Sequence, residues 1–263
     1  MPYVTITGVR LFYEERGTGP AILGIHGAGS SAVFWEDAAE RLADVGRVIV
    51  YDRRGAWRSE RPEPYEATSV REHADDALAL LRALGAGPAI VVGRSYGGTV
   101  GLELAIRHPE AVRALALLEA GPFGLSAEAD AWFARLASTL ERAVAERGID
   151  SVGETVLREV FGAWDELPSI WREVFTANGQ ALLAEVRGGE RLSEDLRLAD
   201  LHVPTLVVTA DDSPEPIRLG SEALARAIPH ARHACVQGDH AIDPAGPQVV
   251  EFVSAVLRDA ARA

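Results

Sequence analysis

The residues Gly93-Arg94-Ser95-Tyr96-Gly97 fit the pattern G-x-S-x-G, and they close an apolar run at 89–93. A serine hydroxyl is a weak nucleophile until a neighbouring base takes its proton. In a sharp strand-to-helix turn it is held strained and exposed, with glycines on either side leaving room for adjacent chain. The N–H of Tyr96 then points at the place where an oxyanion would form. A second glycine-rich stretch, G-I-H-G-A-G at 24–29, also ends an apolar run. It offers a further N–H, from Ala28, to complete an oxyanion hole, while His26 reads as a structural hydrogen-bonding residue. The base is expected at His240. Of the seven histidines it alone sits in a turn after a C-terminal strand-like run, in V-Q-G-D-H-A at 236–241. From there an imidazole can accept the Ser95 proton and return it to a leaving group. His230 and His233 flank the start of that run and fall at the opposite edge of the sheet.

These groups need a scaffold that presents loops at one edge. Residues 3–16 alternate around Gly8 and read as a β-hairpin. Short apolar runs follow at 21–25, 47–51, 89–93, 114–118, 205–209 and 231–236, mostly without alternation, as in strands buried on both faces of a parallel sheet. Segments of helical period lie between them. Residues 67–84 place Val70, Ala74, Ala77, Leu78 and Leu81 on one face; 97–107, 216–228 and 247–261 are the others. The product is an α/β sheet with helices on both faces. Residues 122–200 break the rhythm with helical patterns at 127–147, 151–162 and 168–187, and they carry Trp132, Trp164 and Trp171. An insertion over the carboxyl edge of the sheet would bring aromatics to a ligand. These three tryptophans are the expected substrate contacts as a group, although any one taken alone reads first as packing within the insertion.

Composition narrows the functional classes. With 26 basic residues against 39 acidic ones, the net charge of −13 provides no positive field for nucleic acid or anionic membrane. Every basic residue is arginine, which excludes a Schiff-base lysine or a Walker-type phosphate loop. Cys235 is the single cysteine, so no internal disulfide forms; its apolar neighbours predict a buried, inert thiol. No secretory signal and no membrane-length apolar run is visible, so a cytoplasmic protein is expected. No metal-binding spacing appears, and a metal-free, cofactor-independent monomer or homodimer is expected, with a small molecule as partner.

The motifs in order resemble the α/β-hydrolase superfamily: H-G-A-G at 26–29, D-R-R-G-A-W-R-S at 52–59, G-R-S-Y-G-G at 93–98, H-P-E-A-V-R-A-L-A-L-L-E at 108–119, P-T-L-V-V-T at 204–209 and G-D-H at 238–240. The resemblance covers nearly the whole chain. It implies an eight-stranded, mostly parallel sheet, a core formed by 1–121 and 201–263, a helical cap at 122–200 inserted after the sixth strand, and a Ser…acid…His triad. Trp57 departs from the pattern, standing where many members have glycine. The acid usually follows the seventh strand, in a pattern like G-x-x-D; counted from Ala210, that position holds Ser213, with Asp211 and Asp212 falling early. Glu119, closing an apolar run, is the other candidate, because a carboxylate there is expensive to bury without a partner. Zearalenone lactonases and one group of haloalkane dehalogenases place a glutamate at this strand end. Glu119 is therefore the expected acid and Asp212 the alternative.

The resulting expectation is a serine esterase or lactonase acting on a hydrophobic or aromatic substrate. Arg94, beside the nucleophile, is expected in a structural ion pair, with contact to a substrate carboxylate as the alternative. Rival readings are a lyase or perhydrolase using the same residues, or a ligand-binding receptor with a slow triad. Dehalogenases and epoxide hydrolases use an aspartate where Ser95 stands.

Overall fold

Alternate residues of each central strand feed two different cores, and this is why the strands read as unbroken apolar runs. Leu23, Val91, Leu117 and Val207 join one core; Ile22, Val92, Leu118 and Val208 join the other. Burial of each such side chain contributes about 1.5–3 kcal/mol. The computed structural model describes residues 2–162, 164–260 and 262. Its strands are β1 (Tyr3–Ile6), β2 (Val9–Arg16), β3 (Ala21–Ile25), β4 (Arg47–Tyr51), β5 (Ala89–Arg94), β6 (Val112–Leu118), β7 (Thr205–Ala210) and β8 (Arg232–Val236). They form one eight-stranded sheet in the order β1-β2-β4-β3-β5-β6-β7-β8. The pairs β1–β2 and β2–β4 are antiparallel and the other pairs parallel, so β2 runs against the rest of the sheet.

The chain runs outward from β3 to β4, returns, and sets β5 on the other side of β3. The carboxyl ends of β3 and β5 therefore flank the point where the winding reverses, and a crevice forms there. One face of the sheet is covered by α2 (Val70–Ala83), α3 (Tyr96–Arg107) and α8 (Glu215–Ala227). The other carries α1 (Glu36–Leu42) and α9 (Pro247–Ala260). Between β6 and β7 the chain forms α4 (Ala127–Arg147), α5 (Ser151–Phe161), α6 (Ser169–Ala177) and α7 (Gly179–Gly188). These helices have a core of their own, including Leu136, Leu140, Val152, Phe175 and Leu182. Among the described residues no helix is long and apolar enough to cross a membrane.

Several expectations need correction. The single helix expected over 168–187 is two, broken at Asn178, whose side chain is drawn out of the helical line to bind the loop after β3. Helix α1, for which the sequence carried no expectation, buries Ala38, Ala39 and Leu42. The helix expected over 247–261 ends at Ala260, and residue 261 lies outside the described residues. Cys235 is exposed, not buried. β8 is an edge strand: Ala234 and Val236 pack inward beside α9, while Cys235, between them on the alternate face, is exposed.

Candidate active site

The turn between β5 and α3 holds Ser95 at φ 51° and ψ −128°, a conformation that side-chain-bearing residues rarely adopt. Two glycines make it possible. A Cβ on Gly93 would meet the Gly97 carbonyl oxygen at 2.5 Å, and one on Gly97 would collide with the carbonyls of Ile25 and His26. The turn is anchored by the Ser95 N–H, which donates to Leu118 O at 2.8 Å, and by Gly98 N–H, which donates to Ser95 O at 2.8 Å.

The loop after β3 comes up beside it. His26 is buried with both ring nitrogens engaged: Arg53 N–H donates to Nε2 at 3.0 Å, so Nδ1 carries the proton and donates to Gly27 O at 2.9 Å. Burial, with Arg53 adding to it, holds the imidazole well below its usual pKa and keeps it neutral. His26 thus shapes the loop from beneath. Ala28 and Tyr96 both border the adjoining cavity, and among the described residues neither N–H donates to a protein acceptor.

Glu119 follows β6 with φ 48° and is 2% exposed. Its Oε1 accepts from Ala210 N–H at 2.9 Å; its Oε2 accepts the Ser213 hydroxyl and lies 2.7 Å from His240 Nδ1. With the carboxylate accepting, His240 carries its proton on Nδ1, and Nε2 is left to accept. Among the described residues the Asp212 carboxylate makes no hydrogen bond to His240. It is exposed, and the Asp212 N–H donates to Gly238 O at 2.9 Å, while Asp211 Oδ1 accepts from Gly238 N–H at 3.0 Å. The 211–212 loop therefore braces the turn that leads to His240. Ser213, in the place the usual aspartate would take, turns its hydroxyl onto Glu119.

Ser95, His240, Glu119, Ala28 and Tyr96 all border one cavity of about 400 Å³. Its wall is mostly apolar and is closed by Trp132, Phe133, Phe161, Trp171 and Phe175 from the helices between β6 and β7. Trp164 does not reach it. That residue lies in the turn after α5, where the left-handed Gly162 ends the helix, and it packs against the helices' own core. Arg94 also needs correction: among the described residues it makes no ion pair. The acid that most influences it, Asp239, is exposed and caps Ala241 N–H at 2.8 Å. No group of three or more His, Cys, Asp or Glu among the described residues is arranged to hold a metal ion.

A family model for the alpha/beta hydrolase fold matches residues 20–242. The chain belongs to the α/β-hydrolase fold family. Over 260 residues it is 34% identical to the putative carbamate hydrolase RutD of Azorhizobium caulinodans, a match covering 95% of each protein. A second match, 42% identical over 110 residues to the uncharacterized hydrolase YraK of Bacillus subtilis, spans 42% of this chain and 41% of that protein. Among solved structures, Est816, described as an N-acyl homoserine lactone degrading enzyme, is 27% identical with a TM-score of 0.67 and covers 98% of this chain and 99% of its own. A thermophilic esterase from Thermogutta terrifontis, solved with malate bound, is 26% identical with a TM-score of 0.73, covering 99% and 96%. These three full-length matches are named as a hydrolase, a lactone-degrading enzyme and an esterase.

Within this α/β-hydrolase the helices between β6 and β7 are latched to the loop after β3 by residues that sequence reasoning missed. Asn178, fully buried, accepts from Trp57 N–H at 2.6 Å and donates to Gly29 O at 3.0 Å and Ser30 O at 2.9 Å. Trp57 thereby finds a partner for its N–H in a left-handed conformation (φ 44°) that usually favours glycine. Glu185 on α7 forms a wholly buried ion pair with Arg53 at 2.7 Å and accepts from Gly29 N–H at 3.2 Å. The one available signal was that Asn178 is the only asparagine in the chain.

Proposed function

We propose that the protein is a serine hydrolase that cleaves a carboxylic ester or lactone through an acyl-enzyme on Ser95. The reading is carried by one observation: the elbow serine, a histidine bonded through Nδ1 to a buried glutamate, and two unpaired backbone N–H groups border the same apolar cavity. Ser95 Oγ attacks the carbonyl carbon while its proton passes to His240 Nε2. The carbonyl oxygen, now an oxyanion, takes hydrogen bonds from Ala28 and Tyr96 N–H, each contributing about 3–4 kcal/mol to the transition state. Collapse breaks the C–O bond, and the leaving alcohol takes the proton from His240. Water, deprotonated by His240, then attacks the acyl-enzyme and releases the acid and Ser95. For a lactone the alcohol stays tethered to the acyl group.

Glu119 holds the imidazole in its Nδ1–H tautomer and stabilises the imidazolium. Residues 122–200 serve as the cap, and its aromatics, Trp132 and Trp171 among them, hold the apolar part of the substrate. A carbamate is the second reading. It is favoured by the putative carbamate hydrolase to which the chain is 34% identical over nearly its full length, and it needs the same machinery.

A fluorophosphonate probe tests the reading. The native protein should be labelled on Ser95, with a burst of p-nitrophenol from a short p-nitrophenyl ester, and Ser95→Ala should abolish both. Absence of labelling and turnover in the folded native protein, together with tight small-molecule binding, would favour a receptor instead.

A further inference from the structure

The carboxylates bordering or nearest the reaction end of the cavity are occupied. Glu119 is taken by Ala210, Ser213 and His240; Glu185 by Arg53 and Gly29; Glu190 by the Thr99 hydroxyl at 2.5 Å; Asp239 by Ala241 N–H. Of the three arginines on the wall, Arg187 is paired with Glu141, Arg191 is exposed with its guanidinium over the Phe123 ring, and Arg94, beside Ser95, is the least exposed one without a partner among the described residues. Arg94, the residue before the nucleophile, borders the cavity, and among the described residues its guanidinium has neither a hydrogen-bond acceptor nor a carboxylate partner. It lies deep in the protein yet retains accessible surface, and its nitrogens are not among the fully buried atoms that lack partners.

An arginine so placed costs free energy in the empty protein, because burial removes water from a charge and supplies no opposite charge in contact. The strain registers in the group itself: burial pulls its pKa down to about 10, with only the distant Asp239 pulling the other way. A planar guanidinium with its donors open is matched by a carboxylate, which accepts two of them in parallel.

We propose that Arg94 binds a carboxylate on the substrate, so that the preferred substrates are esters or lactones whose acyl part bears an acidic group within a few carbons of the scissile carbonyl. This rests on the serine-hydrolase reading for the cleavage step but not for the recognition step. The aromatic wall takes the hydrocarbon, and Arg94 sets the acyl chain's direction at the end where Ser95 and His240 stand.

The test compares the mono-p-nitrophenyl ester of glutaric acid with the same compound methylated on its free carboxyl. The native protein should favour the acid roughly ten- to hundredfold in kcat/KM, the range that hydrogen bonds to charged groups supply. The difference should lie mainly in KM. Arg94→Gln should bring the ratio near one, and Arg94→Lys should restore part of it. A second measurement separates the two readings: calorimetry on Ser95→Ala with monomethyl glutarate against dimethyl glutarate. Tighter binding of the monoacid, lost in the Ser95→Ala, Arg94→Gln double variant, supports Arg94 whether or not any ester is cleaved. Cleavage of both esters without preference, or a preference that survives Arg94→Gln, overturns the proposal while leaving the hydrolase reading intact. Equal binding of the two glutarates overturns it when nothing is cleaved.

Discussion

The carboxyl ends of β6 and β7 lie side by side in the sheet, and they offer His240 different things. At the end of β6 a single carboxylate, Glu119, is turned inward by left-handed backbone and accepts hydrogen bonds from Ala210, Ser213 and His240. At the end of β7 two aspartates face water and a serine hydroxyl turns inward. The β7 loop is the richer in carboxylates, yet its contribution to the imidazole is a hydroxyl delivered through Glu119. What counts is where an oxygen lands relative to Nδ1, not how many acids the neighbouring loop carries. Glutamate has one methylene more than aspartate, and that length suits a start one strand further along.

Glu119→Gln should produce the largest effect. Ala210 N–H needs an oxygen at Oε1, so the amide nitrogen takes the Oε2 position and faces His240 Nδ1. An N–H donor there forces the proton onto Nε2, the tautomer that cannot accept from Ser95. A fall in kcat/KM of about 10³–10⁴-fold is expected, as for an amide replacing a triad acid elsewhere, with the protein still folded by circular dichroism. Asp212→Asn should stay within about twofold of the native rate on the same p-nitrophenyl ester. Equal damage from the two substitutions would erase the distinction between the strand ends.

Ser213→Ala sharpens the contrast from the other side. The hydroxyl is a positioning group: it fixes Oε2 without touching Ser95 or substrate. Its removal leaves Glu119 bonded to Ala210 and His240. A drop in kcat of about tenfold is expected, of the order of one hydrogen bond to a charged group. KM should change little, and Ser213→Thr should recover much of the rate. A change confined to KM would place Ser213 in substrate binding instead.

The strands were legible because their signal is local: five or six consecutive apolar residues already imply burial on both faces. Ser95 was legible for a similar reason, since two glycines around a serine at the end of such a run supply the room that a tight strand-to-helix turn requires. Glu119 could be suspected from the cost of burying a carboxylate at that position, but only the folded chain brings it to a residue 121 positions later. The latch was illegible on the same principle. Asn178 meets Gly29, Ser30 and Trp57 across more than a hundred residues, and nothing near it in sequence marks it as more than a helix-breaking polar residue. Arg94 misled because an arginine next to a nucleophile reads as paired, and pairing is decided by side chains far away in the chain. Trp164 misled because belonging to the right segment does not decide which way a side chain faces.

A third carboxylate extends the comparison from rate to stability. Glu190 borders the same cavity and is nearly as inaccessible as Glu119, at 7% exposure, but the Thr99 hydroxyl is its side-chain partner and Glu185 stands nearby with like charge. Burial dominates, and its pKa is pushed up to about 7. A carboxyl whose folded pKa lies above its unfolded value near 4.3 binds a proton more readily in the folded protein, so its contribution to stability is fully present at acid pH and is lost as pH rises through about 7. Glu190→Gln keeps an oxygen for the Thr99 hydroxyl and removes the charge. The variant should match the native protein in urea unfolding near pH 4 and exceed it by about 3 kcal/mol near pH 8. If native and variant curves instead stay parallel across that range, Glu190 is ionised throughout, and burial with few donors is not enough to separate it from Glu119.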